Sequence, residues 1–198
     1  MKELMVDLET LDVKPTAVVV SFAAIPFDMD KKLSFIEMVD GGHPVLYHKL
    51  AVEPQITGGR TVSASTLGWW LTQEEDARTD IALACGKENP LLDLHGPLCR
   101  FYEFAKEYEC ERIWGNGPSF DNAILRSLFD DLETEFPFKY NVDRDLRTLV
   151  DMTQESYVVE TPEGMVPHHP VHDAAFQIVR AQIAWQKISK LIEARSVS

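Results

Sequence analysis

The most constraining feature of this sequence is a short apolar segment near its amino terminus, residues 4–9, that ends in two carboxylates. Leu4-Met5-Val6 is typical of a buried β-strand. Because side chains alternate along a strand, Asp7 and Glu9 must emerge on the same face, about 7 Å apart. Two unpaired carboxylates at such a place raise each other's pKa unless a cation or an arginine lies nearby. The pattern predicts an acidic site at the end of a strand, and simple solvent exposure is the alternative.

The rest of the chain alternates strand-like and helix-like patterns, which predicts an α/β fold with a mixed sheet. Strands are expected at residues 4–9, 17–27, 33–39 and 111–114, with a short one at 45–50 inside an irregular insert from about 41 to 60. Helices are expected at residues 65–71, 74–83, 91–108, 119–132, 144–152 and from 170 to beyond 192. No linker-like stretch divides the chain, so residues 1–198 are expected to form a single domain.

Net charge limits the nucleic acids that this chain can bind. Nineteen basic and 32 acidic residues give −13, the wrong sign for coating a long duplex, because nonspecific affinity for DNA comes largely from Lys and Arg. Two divalent ions held by four carboxylates would add four charges, moving −13 to −9, and would favour phosphate locally. The composition therefore favours a small footprint on nucleic acid.

Three features of the sequence predict a cytoplasmic protein with no membrane partner. No apolar run reaches the roughly 20 residues that a membrane-spanning helix needs. Acidic residues interrupt the amino-terminal apolar run before a signal-peptide core forms. Cys85, Cys99 and Cys110 are odd in number and lack metal-ligand spacing, which is typical of free thiols in a reducing compartment.

Asp121 follows a glycine-bearing loop, residues 115–118, that connects a predicted strand to a predicted helix. Ser119 is expected to cap that helix, which places Asp121 in its first turn. Ligands favour crevices of this kind, and the glycines let a nucleotide approach the backbone, where Asn116 offers hydrogen bonds. The alternative is that Asp121 only complements the helix dipole.

Half of the six histidines lie between residues 168 and 172, a density that is typical of metal or proton chemistry. Because Pro170 is tolerated only in the first turn of a helix, His168 and His169 are expected on the incoming loop, where either can approach Asp173. Spacing alone does not choose between them. A histidine-rich capping loop and a zinc site are the alternatives.

Taken in order, Asp7-Leu8-Glu9-Thr10, Phe120-Asp121, and His168 with Asp173 five residues later resemble the three motifs of the DEDDh 3′-5′ exonuclease superfamily. The likeness is greatest to the phage and prophage branch that includes phage exonuclease A and exodeoxyribonuclease VIII-like proteins, itself similar to a mycobacterial exoribonuclease group. It covers nearly the whole chain. Residues 64–66, 69–70, 73, 114–117, 144–148 and 185–187 also look like that branch.

The resemblance implies a ribonuclease H-like fold, with a central five-stranded mixed sheet flanked by helices. It implies two divalent ions, Mg2+ or Mn2+, held by Asp7, Glu9, Asp121 and Asp173. By family likeness Asp7 bridges the ions, Glu9 and Asp173 complete the shell of the first, and Asp121 holds the second. The family pattern also selects His168, five residues before the last aspartate, as general base.

The resemblance further implies a pocket for the free 3′ end of a nucleic acid. Thr10 and Leu11 match positions that line the site of the terminal sugar. Phe120 and one of the two adjacent tryptophans are candidates to stack on bases, and Trp70 is expected to be the exposed one, with Trp69 buried. Separately, Trp114 and Trp185 are expected in the core, and Arg126, Arg144 and Arg147 are expected to contact phosphate or to form structural ion pairs.

Single-stranded DNA is the expected substrate, with nucleoside 5′-monophosphates as products. An exoribonuclease or small-oligonucleotide phosphodiesterase with the same site is the enzymatic alternative, because no residue identifies a reader of the 2′-hydroxyl. The alternative of another class is a non-catalytic module that keeps the fold to bind a partner. Family likeness makes a homodimer plausible.

Overall fold

The fold was analysed in a computed structural model, which describes residues 2–85, 94–153 and 159–196. Five strands form one sheet: β1 (Lys2–Thr10), β2 (Val19–Asp28), β3 (Leu46–Lys49), β4 (Cys110–Gly115) and β5 (Asp143–Asp145). The α-helices of the described ranges are α1 (Phe35–Val39), α2 (Val52–Thr57), α3 (Ala64–Trp70), α4 (Glu75–Cys85), α5 (His95–Glu107), α6 (Asp121–Asp131), α7 (Leu146–Asp151) and α8 (Pro170–Ser196).

The sheet is mixed and has the order β3-β2-β1-β4-β5. Its central strand β1 runs antiparallel to β2, with Asp7 opposite Ala23, and parallel to β4, with Leu4 opposite Ile113. Helices cover both faces. The expected α/β architecture, a five-stranded mixed sheet of the ribonuclease H-like type, is confirmed.

The strand predicted at residues 33–39 is wrong, because this segment forms helix α1. Ser34 caps the helix by accepting a hydrogen bond from the Glu37 backbone N–H, and the Glu37 side chain accepts from the Ser34 N–H in return. This capping box satisfies the amide groups that a helix start leaves unpaired. The third strand along the chain is instead β3, inside the insert, where a short strand was expected.

The structure differs from the prediction in two further elements and in one helix cap. The insert contains a helix, α2, that was not predicted, and a short strand, β5, precedes the predicted helix α7. Phe120, not Ser119, holds the N-cap position of α6, and no side chain caps this helix. The first residues of the helix predicted at 91–108 lie outside the described residues.

Alternation along β1 separates the two halves of the core. Leu4, Val6 and Leu8 pack against α5 and α6, in a cluster that includes Phe101 and Leu125. Met5 faces the other way, into a cluster with residues of α1, α7 and α8. Asp7 and Glu9 continue the Met5 face, so both carboxylates point toward α8, as alternation predicted.

Within the described ranges, no helix combines the length and the apolar character needed to cross a bilayer.

Candidate active site

A pocket of about 590 Å³ opens at the carboxyl end of β1. This volume is within the range of pockets that hold small ligands. Its lining includes all five residues predicted to carry the chemistry: Asp7, Glu9, Asp121, His168 and Asp173. The fold therefore brings together side chains from β1, α6 and the start of α8 that are far apart in the sequence.

Asp7 lies at the floor of the pocket and is held by a residue that the sequence analysis did not single out. The Gln177 Nε2 donates a hydrogen bond of 2.6 Å to Asp7 Oδ1. Gln177 lies one helical turn after Asp173 on α8, so both side chains project from the same face. Its other amide atom, Oε1, is buried in the pocket wall without a hydrogen-bond partner among the described residues.

Asp121 is the first residue of α6 and is buried, at 3% exposure. Its carboxylate accepts hydrogen bonds from the backbone N–H of Asn116, at 3.1 Å, and from the backbone of Leu8. Gly115 allows this close approach, because a Cβ there would lie 2.8 Å from Asn122 Oδ1 and 3.0 Å from Asp121 Oδ2. The loop glycine thus makes room for the carboxylate beside β1.

Asp173 and His168 meet at the start of α8. The carboxylate of Asp173 accepts a hydrogen bond of 2.8 Å from the His168 backbone N–H. His168 has a φ of 61°, an uncommon conformation for a residue other than glycine, and such strain clusters at functional sites. Its ring lies 4.8 Å from that of Trp69 and 5.9 Å from that of Trp70, centroid to centroid.

The crowding of carboxylates shifts their ionisation. Burial, and then the charges of Asp121 and Asp173, raise the pKa of Asp7 well above its usual value, which the hydrogen bond from Gln177 opposes. Burial raises the pKa of Asp121 to about 7, against hydrogen bonds from the backbone and the charge of Arg147. Burial also raises the pKa of Asp173, against the hydrogen bond from His168. Three acidic groups are thus costly to ionise together without a cation.

The residues of the pocket suit a divalent cation. Glu9, His168 and Asp173 each offer one donor atom within 4.8 Å of the others, and in the described part of the chain they form the one such group of three or more. Carboxylate oxygens are the ligands that Mg2+ and Mn2+ prefer. The rings of His169 and His172 contact each other and pack against Tyr47 and Phe35, but among the described residues no third histidine, cysteine or carboxylate joins them in a group that could hold a zinc ion.

The residues predicted to bind substrate fall into two groups. Thr10, Asn116 and Phe120 line the pocket. Leu11 does not, because it is 2% exposed and packs in a small cluster with Val18 and Val20.

The expectation that Trp70 is the exposed tryptophan is wrong. Trp70 is 4% exposed, whereas Trp69 is 44% exposed. The indole Nε1 of Trp70 donates to the Thr10 carbonyl oxygen at 2.9 Å, which turns this ring toward β1. Both rings reach the pocket, but Trp69 presents the accessible surface. Of the two tryptophans expected in the core, Trp114 is 7% exposed, and Trp185 is partly buried against the core and donates to Asp30.

The three arginines expected to contact phosphate or to form ion pairs differ in their contacts. Arg126 forms an ion pair with Asp143 at 2.8 Å and lies 4.3 Å from the centre of the Phe136 ring. Arg144 donates to the backbone carbonyl of Asp143. Only Arg147 of these three lines the pocket.

Sequence reasoning missed Gln177 and assigned too little weight to Trp69. The signal for Gln177 was available, since it follows Asp173 by one helical turn, but a lone glutamine on a helix is not distinctive. The choice between two adjacent tryptophans depends on the rotation of α3 about its axis, which is fixed by packing against β1.

Two comparisons relate this chain to known nucleases. Residues 2–185 match the model of the 3′-5′ exoribonuclease Rv2179c-like domain family. The chain is also similar to the exodeoxyribonuclease of Enterobacteria phage T4, with 28% identity over 99% of this chain and 94% of the phage protein.

Proposed function

The chain belongs to the Rv2179c-like family of 3′-5′ exoribonuclease domains, and from this we propose that it is a metal-dependent 3′-5′ exonuclease acting on single-stranded DNA. The observation that carries the proposal is the meeting of Asp7, Glu9, Asp121, His168 and Asp173 in one pocket. The whole chain is proposed to act as one domain. Water adds to the terminal phosphorus, the bond to the 3′ oxygen breaks, and a nucleoside 5′-monophosphate leaves.

Asp7, Glu9, Asp121 and Asp173 are proposed to hold two divalent ions, Mg2+ or Mn2+. When bound, these ions supply positive charge that stabilises the developing negative charge on the phosphate. The raised pKa values of Asp7, Asp121 and Asp173 support this assignment, because like charges at such a site call for a cation.

His168 is proposed to accept the proton of the attacking water. Its ring packs against Trp69 and Trp70 at the pocket wall, and one of its ring nitrogens lies within 4.8 Å of an Asp173 carboxylate oxygen. A general base needs to be held within hydrogen-bonding reach of the proton that it removes. The strained backbone at His168 supports a functional constraint on this position.

The terminal nucleoside is proposed to lie between Thr10 and Trp69, with Asn116 and Phe120 farther along the strand. The exposed ring of Trp69 offers a stacking surface, a contact worth about 1–3 kcal/mol for each base. Trp70 then acts mainly as the support behind Trp69, since the two rings meet at 4.9 Å.

The polymer is the point on which two candidate functions differ. The family description names an exoribonuclease, whereas the similar phage protein is named an exodeoxyribonuclease. An exoribonuclease with the same site is therefore the second candidate. Degradation rates on DNA and RNA of identical base sequence and length decide between the two.

The test of the proposed function uses a 5′-labelled single strand with Mg2+, Mn2+ or EDTA. The wild type is expected to shorten the strand stepwise from its 3′ end, and EDTA to abolish shortening. Asp7→Asn keeps the size of the side chain and its contact with Gln177 but removes the charge, so it is expected to be inactive. His168→Gly is the cleaner base variant, because glycine accepts the positive φ.

Three outcomes contradict the proposal. Internal cuts would point to an endonuclease, and unchanged activity in Asp7→Asn would separate the pocket from the reaction. A folded protein that binds single strands without shortening them under any of these conditions would support the non-catalytic alternative.

A further inference from the structure

Arg147 is the only lysine or arginine among the described residues that line the active-site pocket. It is exposed, and in the described part of the chain its guanidinium forms no hydrogen bond or ion pair. Arg126 and Arg144, in contrast, are held by Asp143. The other ionisable side chains of this pocket are four carboxylates and one histidine, so the Arg147 guanidinium is the group available for an anion from outside the protein.

The fold holds Arg147 in this position from two sides. Asp145 caps α7 by accepting a hydrogen bond of 3.0 Å from the Arg147 backbone N–H. Asp145 also pairs with Gly115 across β4 and β5, so α7 begins beside the loop that carries Asp121. The guanidinium lies beside Gly117, where a Cβ would be in ordinary van der Waals contact with Arg147 Nη1, at 3.7 Å.

Arg147 and the tryptophans lie on opposite sides of β1. Helix α3 begins beside the β1–β2 connection, where the Leu11 carbonyl oxygen accepts from the Ser63 N–H and Thr61 bridges to Ala17. Arg147 follows β5, which is two strands from β1 in the other direction. With neighbouring strands about 4.8 Å apart, this offset is roughly 10 Å.

We propose that Arg147 binds the phosphate that lies immediately 5′ of the scissile phosphate. This assignment rests on the proposed function, in which the terminal nucleoside lies against Trp69 and the scissile phosphate lies among the carboxylates. The next phosphate of the strand then falls on the β5 side, where Arg147 is. A guanidinium matches a phosphate well, because its planar fork can donate two parallel hydrogen bonds.

The contact gives the site a way to distinguish a strand from its product. A strand with at least two phosphates engages Arg147, whereas the released mononucleotide has no second phosphate. Arg147 thus favours retention of the shortened strand over retention of the product. It also supplies positive charge in the active-site pocket of a chain whose net charge is −13.

The test measures equilibrium binding of short 5′-fluorescein-labelled oligothymidylates by anisotropy, with Ca2+ in place of Mg2+ and strand length checked on a gel. One oligonucleotide has only phosphodiesters. The others carry a single uncharged methylphosphonate at the terminal linkage, at the second linkage from the 3′ end, or far from that end. The proteins are wild type, Arg147→Gln and Arg147→Lys.

Loss of one charge-assisted contact is expected to cost about tenfold in affinity. Wild type is therefore expected to bind the second-linkage methylphosphonate about tenfold more weakly than the unmodified strand. Arg147→Gln is expected to bind both equally, at that weaker level, and Arg147→Lys to fall between. The slope of log affinity against log salt is expected to fall by about 0.7 in Arg147→Gln.

The proposal is overturned if Arg147→Gln still discriminates against the second-linkage modification, or if wild type never does. It is also overturned if Arg147→Gln binds the strand with a methylphosphonate at the terminal linkage as tightly as the unmodified strand while wild type binds it more weakly. That result would assign Arg147 to the scissile phosphate. Shortening of the unmodified strand by wild type in Mg2+ is measured in parallel. If wild type does not shorten the unmodified strand, the proposed function is rejected. The binding comparison still decides whether Arg147 contacts the phosphate at the second linkage.

Discussion

Gln177 Nε2 donates a 2.6 Å hydrogen bond to Asp7 Oδ1, tying the central strand to helix α8 at the floor of the pocket. The two residues are 170 positions apart in the chain. Because Asp173 projects from the same face of α8, this contact, together with the packing of α8 on the sheet, positions two of the proposed metal ligands.

Gln177→Leu is expected to lower activity by roughly a hundredfold, since misplacing a reacting group by about 1 Å has an effect of that size. Leucine keeps most of the packing but cannot hold Asp7. The loss is expected to be largest at low Mg2+, so half-saturating Mg2+ concentration and kcat are both measured. Gln186→Leu, on the exposed side of the same helix, is the matched control. Equal losses in the two variants would assign Gln177 a general role in helix stability.

The metal-free protein is expected to lose stability as the pH rises from about 4 to about 7. The folded-state pKa of Asp121 is raised to about 7, and those of Asp7 and Asp173 are also raised. A carboxyl group whose pKa is raised by folding favours the folded state while it is protonated. The protein loses this contribution to its stability as the pH rises from the unfolded-state pKa through the folded-state pKa. Thermal unfolding in EDTA and in Mg2+ checks this, and Mg2+ is expected to reduce the loss.

Asp121→Asn isolates this effect from other titrations. Burial lowers the pKa of His48 and His172, which acts in the opposite direction over the same pH range. Asparagine keeps an oxygen for the N–H groups of Asn116 and Leu8 but carries no charge. The variant is expected to have a higher Tm than wild type in EDTA at pH 8, by about 2–4 °C for each kcal/mol, a smaller advantage at pH 5, and none near pH 4. A lower Tm at all of these pH values would contradict it.

Trp69 and Trp70 are expected to differ in what their loss affects. Trp69→Ala removes an exposed ring, so binding of a short single strand is expected to weaken by about tenfold or more with a small change in Tm. Trp70→Ala empties a buried site and is expected to destabilise the fold by about 3–5 kcal/mol. Trp69→Phe, which keeps a stacking surface, is the control for binding. Equal losses of Tm in the two alanine variants would contradict the assignment of Trp69 to substrate binding and of Trp70 to stability of the fold.

Gly115→Ala is expected to reduce activity by roughly a hundredfold through displacement of Asp121. The added Cβ would lie 2.8 Å from Asn122 Oδ1 and 3.0 Å from Asp121 Oδ2, so these two side chains must shift away from the end of β4. Gly68→Ala is the matched control, because a Cβ there meets nothing within 4 Å. It lies within α3 and is expected to stabilise by about 0.5–1 kcal/mol. Full activity in Gly115→Ala would show that the loop moves without disturbing Asp121.

Sequence patterns were sufficient where the signal is local. The alternation of Leu4 to Glu9 predicted both the central strand and the common face of Asp7 and Glu9. Pro170 predicted the start of α8 and the loop position of His168. These features depend on side-chain periodicity and backbone restriction, which act over a few residues.

The amino-acid sequence by itself determined the mixed α/β class, most of the strands and helices, and the ordered set of acidic residues with one histidine. Only the tertiary structure decided that Trp69 and not Trp70 is exposed, that Gln177 holds Asp7, and that Arg147 is the arginine at the pocket. The physical reason is that the rotation of a helix about its axis, and the strand beside which it begins, are fixed by packing between segments distant in the chain. Residues 33–39 are a different case, because the capping box of Ser34 and Glu37 that starts helix α1 is a local pattern, present in the sequence itself.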